Sequence, residues 1–247
     1  MEWHEAIDQI KGHTVKITTP EGQGTGFLIA LNRNLKCVAT AAHVVERAHY
    51  WQHPIRITHA VTSKEVFLRN SDRVINVDSK QDTASIAFVS EDEGFPADAF
   101  PFTEQDRYYK VGVDIGWVGF PSIRPDSLCF FNGRISCWVE DEKFYLVDGV
   151  SINGVSGGPA FFIDSSTNGV RHIGLVSGYI PNLATGISMP GLCVIRDIHR
   201  ARSWAKEFKT LAEAREKSKT QTPTSPPPPP VPPTPPSQPP PKSDTSY

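Results

Sequence analysis

Three short stretches of the chain each contain one residue suited to acid, base or nucleophile chemistry. Ser156 lies in the run NGVSGGPA, whose glycines permit unusual backbone angles and let N–H groups converge beside a nucleophilic hydroxyl. His43 ends the apolar run CVATAA, and Asp82 comes directly before the apolar run TASIAFV. Each pattern alone has an ordinary explanation: a glycine-rich turn for Ser156, a structural role for His43, and an aspartate at the start of a strand for Asp82. Together they supply a nucleophile, a general base and an acid that orients the base.

The order of these residues along the chain, His43, Asp82 and then Ser156, resembles that of the trypsin-like serine peptidases of the chymotrypsin fold. The separations of 39 and 74 residues suit a compact member, closest in motif style to the bacterial Deg-type core without a PDZ domain. Secondary matches to that family are GTGFLI at 24–29, VGFP at 118–121 and GLVSG at 174–178. The resemblance covers roughly residues 12–210.

The resemblance implies a role for each residue of the set. Ser156 would attack the peptide carbonyl, and His43 would take its proton and later protonate the leaving amine. Asp82 would hold the imidazole in the right tautomer, and the hydroxyl of Ser177 would support Asp82. The backbone N–H groups of Gly154 and Ser156 would form the oxyanion hole. No metal and no cofactor are expected, because this chemistry needs neither.

The same family pattern predicts the substrate pocket. Val150 stands where the floor of the P1 pocket lies, so there is no acid to hold Lys or Arg, while Ser177, Gly178 and Tyr179 match the segment that pairs with substrate backbone. We therefore expect small-to-medium apolar P1 residues. Val155 stands where zymogen-type members have the Asp that pairs with a new N-terminus, so activation by N-terminal cleavage is not expected.

Two further functions fit the sequence. One is a catalytically silent trypsin-like interaction module that recruits partners through its proline-rich tail, although the intact set of three residues argues against it. The other is a maturation protease with one dedicated cleavage site, which the sequence does not separate from a quality-control enzyme. In each case a protein or peptide is the expected partner.

The elements that must position these residues are mostly strands. About a dozen short segments rich in Val, Ile and Phe recur between turn residues, which predicts an all-β fold. By resemblance these form two six-stranded antiparallel β-barrels, at about 12–105 and 106–195. Apolar residues at three- and four-residue steps predict a C-terminal helix at about 196–218, whose apolar face is formed by Ile198, Ala201, Ala205, Phe208, Leu211 and Ala212. The whole peptidase domain spans 1–219. The pair Asn132-Gly133 predicts a two-residue hairpin turn, which would point Cys129 and Cys137 to opposite faces and exclude a disulfide between them.

Residues 220–247 form a low-complexity segment after that helix. Of the 22 prolines in the chain, 13 lie between Pro223 and Pro241, and proline lacks the N–H that helices and sheet interiors need. The segment is expected to be disordered, with local polyproline II structure. It is either a spacer or a ligand for an SH3-, WW- or EVH1-like domain.

Composition excludes several classes of protein. A formal net charge of −2 argues against a dedicated nucleic-acid binder, and no apolar run is long enough to span a membrane. The polar, acidic N-terminus lacks the pattern of a signal peptide. Four cysteines in 247 residues do not form a disulfide scaffold, so we interpret them as reduced thiols, and a cytoplasmic location is expected.

Overall fold

The structure, a computed structural model, describes residues 1–31, 35–90, 94–96, 102, 109–181 and 188–220. The first half contains, in chain order, α1 (Trp3–Ile10), a 3₁₀ turn (Lys11–His13), β1 (Thr14–Thr19), β2 (Gly22–Leu31), β3 (Leu35–Thr40), α2 (Ala42–Tyr50), β4 (Ile55–His59), β5 (Glu65–Leu68), a second 3₁₀ turn (Asn70–Asp72), β6 (Arg73–Asp78) and β7 (Thr83–Val89). The second half contains β8 (Asp114–Gly119), β9 (Cys129–Val139), β10 (Phe144–Asp148), β11 (Pro159–Asp164), β12 (Gly169–Pro181), β13 (Ser188–Asp197) and α3 (His199–Thr220). The predicted barrel boundary at 105/106 and the tail beyond Thr220 lie outside the described residues.

The first half is one antiparallel sheet in the order β5-β4-β1-β2-β3-β7-β6, which forms a half-barrel. Alternate residues of β4 are buried, as expected for a strand with one face on a core. The sheet has seven strands where six were predicted, and among the described residues its edge strands β5 and β6 do not pair. At the junction between these edges the buried Arg73 guanidinium donates instead to the carbonyl oxygens of Leu68 (2.8 Å), Ala48 (3.3 Å) and His53 (2.6 Å).

The second half is a closed barrel of six strands in the order β10-β13-β12-β11-β8-β9. The all-β fold is therefore confirmed, and so is the six-stranded second barrel. Its interior is filled by large apolar side chains, of which Trp117 and Tyr145 are fully buried.

The hairpin turn predicted at Asn132-Gly133 is wrong. Both residues lie inside the long strand β9, where Asn132 pairs with Gly116 and Gly133 pairs with Ile115. Gly133 is needed for a close approach, because a Cβ there would lie 2.1 Å from the carbonyl oxygen of Asp148. The cysteines are nevertheless free, as expected: Cys37 and Cys193 are buried, and Cys129 and Cys137 are half-buried.

Helix α3 packs its apolar face on both halves of the molecule. It begins at His199, three residues later than predicted, because β13 continues to Asp197. Its buried residues form one cluster with Phe27 of β2 and Leu175 of β12, so the helix and the two halves share a core. Leu211, predicted on the apolar face, is 64 % exposed. None of the described helices is both long and apolar enough to cross a membrane.

Helix α1 was not predicted from the sequence. It packs Ala6 and Ile10 against the second barrel, in a cluster with Val118, Phe161 and Val170. Helix α2, also missed, follows β3 after a single residue and is described below, since it carries His43.

Candidate active site

His43 lies in the first turn of α2, at the end of the first half's sheet. Strand β3 ends at Thr40, and the extended backbone of Ala41 (φ −73°, ψ 145°) caps the helix that begins at Ala42. Ala41 and Ala42 are both buried where the strand turns into the helix. The small residues noted in the sequence thus serve a tight strand-to-helix turn, and His43 follows with its side chain half exposed.

Asp82 lies opposite His43, in the residue just before β7. Its two carboxylate oxygens each lie 3.0 Å from His43 Nδ1, and Oδ1 also accepts the backbone N–H of His43 at 3.0 Å. That N–H belongs to the first turn of α2, where backbone donors have no partner within the helix. One carboxylate therefore fixes both the imidazole and the backbone that carries it.

Ser177 and Ser156 enter the same cleft from the second barrel. The Ser177 hydroxyl donates to Asp82 Oδ2 at 2.5 Å, as the resemblance implies. The Ser156 hydroxyl donates to the backbone carbonyl of Ser177 at 3.4 Å, and among the described residues it makes no hydrogen bond to His43. The three predicted residues are thus connected through Ser177, whose hydroxyl binds Asp82 and whose carbonyl accepts the hydroxyl of Ser156.

The loop around Ser156 is shaped by two glycines in the left-handed region. Gly154 has φ +92° and Gly157 has φ +82°. A Cβ on Gly154 would lie 2.4 Å from the carbonyl oxygen of Phe120, so the close approach requires glycine there too. The carbonyl of Asn153 is held away from the cleft because it accepts the N–H of Ser122 at 2.7 Å. Within the described chain, the N–H groups of Gly154 and Ser156 donate to no other residue.

Thr25, on β2 of the first half, binds this loop from behind. Its hydroxyl donates to Gly154 O at 2.8 Å and accepts the N–H of Phe120 at 3.0 Å. Its own N–H donates to Ser156 O at 2.8 Å, and its carbonyl accepts the hydroxyl of Thr40 at 2.7 Å. Thr25 is fully buried, so these bonds fix the serine loop to the first half without competition from water.

The electrostatics of the cleft follow from the pair of His43 and Asp82. The hydrogen bond that His43 donates to Asp82 raises the pKa of His43 above its usual value, although burial opposes this, and the charge of Glu46 adds to the increase. Burial would raise the pKa of Asp82, but the hydrogen bonds from His43 and Ser177 outweigh it and leave that pKa lowered. Asp82 is therefore ionised at neutral pH, and an imidazolium beside it is stabilised.

The predicted substrate-contacting residues lie on the second barrel. Val150 is 47 % exposed and Tyr179 is 41 % exposed, so both apolar side chains are available to a ligand. A Cβ at Gly178 would meet nothing within 4 Å, which leaves open space beside that strand. Within the described ranges, no group of three or more His, Cys, Asp or Glu side chains could hold a metal ion.

The sequence analysis missed three residues that support the site. Thr25 lies in the stretch GTGFLI, and Ser122 directly follows the stretch VGFP, but neither residue was predicted to support the site. Asp78, four residues before Asp82, also received no role, although its carboxylate accepts the N–H of Gln81 in the turn before Asp82. Thr25 is a polar residue in a stretch that otherwise consists of glycines and apolar residues. That contrast is the sequence signal that could have indicated a supporting role.

A half-barrel and a closed barrel with a cleft between them define the chymotrypsin-like class of fold. In agreement, a family model described as the trypsin-like peptidase domain matches residues 24–170, and the chain belongs to that family of peptidases. No curated protein sequence matches the chain.

Two solved structures, both of the protease Rv3671c in an inactive form, are similar to the chain. The first, a serine-to-alanine mutant from Mycobacterium tuberculosis H37Rv, has 16 % identity and a TM-score of 0.57 over 83 % of this chain and 90 % of that one. The second has 18 % identity and a TM-score of 0.56 over 78 % and 87 %. At these identities the likeness concerns the fold.

Proposed function

We propose that the chain is a serine endopeptidase in which Ser156 is the nucleophile, His43 the general base and Asp82 the residue that orients His43. The observation that carries the proposal is the contact of both Asp82 oxygens with His43 Nδ1 at 3.0 Å, in the cleft that also holds Ser156. With Nδ1 bound to the carboxylate, the proton of the neutral imidazole sits on Nδ1. Nε2 is then left with its lone pair free to take a proton from the serine.

The N–H groups of Gly154 and Ser156 are the proposed oxyanion hole. The two donors are two residues apart in the loop, and the bonds of Asn153 O to Ser122 and of Gly154 O to Thr25 hold these neighbouring carbonyls away. Donors fixed in this way need no reorganisation when charge develops on the substrate oxygen. Loss of one such donor typically costs about 10²–10³ in rate.

The resting position of the Ser156 hydroxyl sets a requirement for this mechanism. Its bond to Ser177 O at 3.4 Å is long and therefore weak, and a move between staggered χ1 positions takes the hydroxyl towards His43. Bound substrate would favour the second position. The same resting contact is what favours the alternative function, a catalytically silent interaction module that recruits an SH3-, WW- or EVH1-like partner through the proline-rich tail.

A fluorophosphonate probe, which labels activated serines, tests the proposal. We expect the wild-type chain and S166A to be labelled and S156A to be unlabelled. Ser166 is the matched control, because it is an exposed serine in the turn after β11 whose hydroxyl bonds only to Asp164 in the described structure. Absence of labelling in the wild type would contradict the peptidase and support the interaction module.

We further propose a preference for small-to-medium apolar P1 residues. The support is chemical: Val150, the proposed pocket floor, offers an exposed apolar side chain, and the flanking Ser151 and Ile152 carry no charge that could hold Lys or Arg. Tyr179, 41 % exposed, stands beside Gly178 and would limit the depth of the pocket. Cleavage of a peptide library chiefly after Arg or Lys would overturn this preference.

A further inference from the structure

The turn from Asp78 to Asp82, which joins β6 to β7, holds its last residue in an unfavourable backbone conformation. Asp82 has φ +45°, in the left-handed region that non-glycine residues rarely adopt. Such a conformation costs on the order of 1–3 kcal/mol and persists only where the surrounding structure holds it. The direction of the Asp82 carboxylate therefore depends on what fixes this turn.

Inside the turn, three hydrogen bonds hold the backbone. Asp78 Oδ1 accepts the N–H of Gln81 at 3.1 Å, and the carbonyl of Gln81 accepts the hydroxyl of Thr83 at 2.9 Å. The N–H of Asp82 donates to Ser79 O at 3.4 Å, which is long for a hydrogen bond. The Asp78 carboxylate is thus the strongest acceptor that closes the turn.

Outside the turn, both helices next to the first sheet bind it. The hydroxyl of Ser79 donates to Glu46 Oε1 at 2.6 Å, and Glu46 lies on α2 one turn after His43. From α3, Arg200 Nε lies 3.1 Å from Asp78 Oδ2, the oxygen that does not close the turn. The Arg200 guanidinium also lies over the ring of Trp204, 5.4 Å from its centroid, which limits the freedom of the arginine.

We propose that Arg200 and Asp78 are positioning residues, which act through the turn to aim the Asp82 carboxylate at His43. This inference rests on the proposed function, since Asp82 matters to catalysis only in a peptidase. The charge of Arg200 attracts one oxygen of Asp78 as an ion pair without a hydrogen bond from Nε, so the other oxygen stays on the N–H of Gln81. Without Arg200, the Asp78 carboxylate turns to water, the turn loses its main acceptor and Asp82 relaxes towards an extended backbone. Helix α3 is thereby coupled to the catalytic cleft.

The simplest opposing explanation is that this is a surface ion pair with no effect. The side chains of Arg200 and Asp78 are 43 % and 18 % exposed, and exposed pairs often contribute little to stability. Stability alone therefore does not test the proposal. A readout at His43 does, because the imidazole reports directly on the position of the Asp82 carboxylate.

The expected sign of the change at His43 separates the two explanations. Removal of a cation by itself favours protonation of a nearby imidazole and would raise the pKa of His43. Displacement of Asp82 removes the hydrogen bond that raises this pKa, so the pKa would fall towards its usual 6.5. Glu46 of α2 also faces the imidazole, and because it raises the pKa in wild type and variant alike, a fall points to Asp82.

The experiment compares R200M, R200K and D78N with the wild-type chain by NMR titration of the His43 imidazole and by the rate of fluorophosphonate labelling. Methionine keeps an unbranched apolar side chain in place of the aliphatic part of the arginine and removes its charge. We expect R200M to lower the His43 pKa and to slow labelling about 10-fold, within the 10² that an ångström of misplacement costs. D78N should also lower the pKa, but loss of the anion alone acts in the same direction, so the sign in R200M is decisive. R200K, which keeps the positive charge, should recover most of both changes.

The control is R134M, which breaks an exposed pair between Arg134 Nε and Asp114 Oδ1 (2.7 Å) in the second barrel, on strands that hold no residue of the proposed site. It should change neither readout. An R200M variant with the His43 pKa and labelling rate of the wild type would overturn the proposal. If the wild type is not labelled at all, the peptidase fails, but the titration still tests whether Arg200 positions Asp82.

Discussion

The two halves of the molecule hold their site residues by different means. In the first half, His43 and Asp82 are fixed by side-chain hydrogen bonds, and Asp82 sits in a strained backbone conformation that its neighbours maintain. In the second half, Ser156 is fixed by backbone bonds and by glycines that have no room for a side chain. Proton transfer requires side chains with the right pKa, whereas an oxyanion hole requires fixed backbone donors.

This difference predicts how each half responds to substitution. A lost side-chain hydrogen bond changes a pKa or a direction and leaves the fold intact. A side chain added at a glycine of the serine loop would clash with backbone atoms that cannot move, so the loop would have to adopt another conformation. Side chains added to the glycines of the serine loop should therefore act on folding and labelling together, and loss of the side-chain bonds that hold His43 should act on labelling alone.

The largest effect is expected from G157A. A Cβ there would lie 2.1 Å from Thr25 O and 2.2 Å from Thr40 Oγ1, at φ +82°. We expect no fluorophosphonate labelling and a loss of more than about 4 kcal/mol in the free energy of unfolding. Chemical denaturation and the probe measure the two quantities.

The control for G157A is G112A. Gly112 has a similar φ of +89°, but a Cβ there meets nothing within 4 Å. Only the backbone strain of about 1–2 kcal/mol should remain, with labelling unchanged. Equal effects of the two variants would show that strain, and not the contact with Thr25, determines the result.

The next effect is that of D82N on the labelling rate. Asparagine tolerates the left-handed backbone of this position, so the fold should survive. The neutral amide cannot hold the imidazole in the same tautomer, and a decrease of about 10⁴ is expected. Thermal unfolding, monitored by circular dichroism, should show a midpoint near that of the wild type. A decrease below about tenfold would contradict the role of Asp82, because the loss of an orienting acid costs far more than this.

The sequence was sufficient for the parts of the site that local patterns encode. The glycine run around Ser156 and the buried strand after Asp82 single out both residues as candidates, because these environments are formed by neighbours in the chain. The half-exposed His43 follows two buried alanines for the same reason. The resemblance to trypsin-like peptidases then supplied the division of the strands into two halves, which local patterns do not contain.

Contacts between distant segments could not be predicted in this way. Asn132-Gly133 has the composition of a tight turn, but Gly133 is required by the carbonyl of Asp148, which approaches from another strand. The link from Arg200 to Asp78 joins residues far apart in the chain, so no periodicity indicates it. Helix α1 is stabilised by packing of Ala6 and Ile10 on the second barrel, and its sequence alone is too short to signal a helix.

A smaller effect is expected from T25V, which tests the bond between the halves. Valine keeps the shape of threonine but leaves the carbonyl of Gly154 and the N–H of Phe120 without their partner. The serine loop should lose its fixed position, and labelling should slow about 10- to 100-fold. Once a substrate is known, the decrease should lie in kcat and not in KM.

Two controls accompany T25V. T25S keeps the hydroxyl and should restore the rate. T14V removes another fully buried hydroxyl, which donates to Ile10 O at 3.1 Å away from the serine loop. It should lower stability without slowing labelling. A T25V rate equal to that of T14V would mean that the halves keep the loop in place without this hydroxyl.

The smallest expected effect concerns a histidine in the core between the halves. His172 of β12 is fully buried, with its ring centroid 4.4 Å from that of Phe27 on β2. Burial lowers the pKa of His172 to about 3, in contrast to the raised pKa of His43 in the cleft. Between about 3 and the usual 6.5, the unfolded chain therefore binds a proton that the folded chain does not.

It follows that the free energy of unfolding decreases as the pH falls through this window, by about 1.4 kcal/mol per pH unit from His172 alone. Urea unfolding between roughly pH 6 and pH 4.5, where the unfolded chain carries most of this proton and the folded chain does not, measures the slope of the free energy of unfolding against pH. H172F should remove the contribution of His172 to that slope. H49F, at an exposed histidine of α2, should leave the slope unchanged. If H172F keeps the slope, the imidazole is protonated in the folded state. The core shared by the halves would then be hydrated, and the coupling of the serine loop to the first half would depend on the bonds of Thr25 alone.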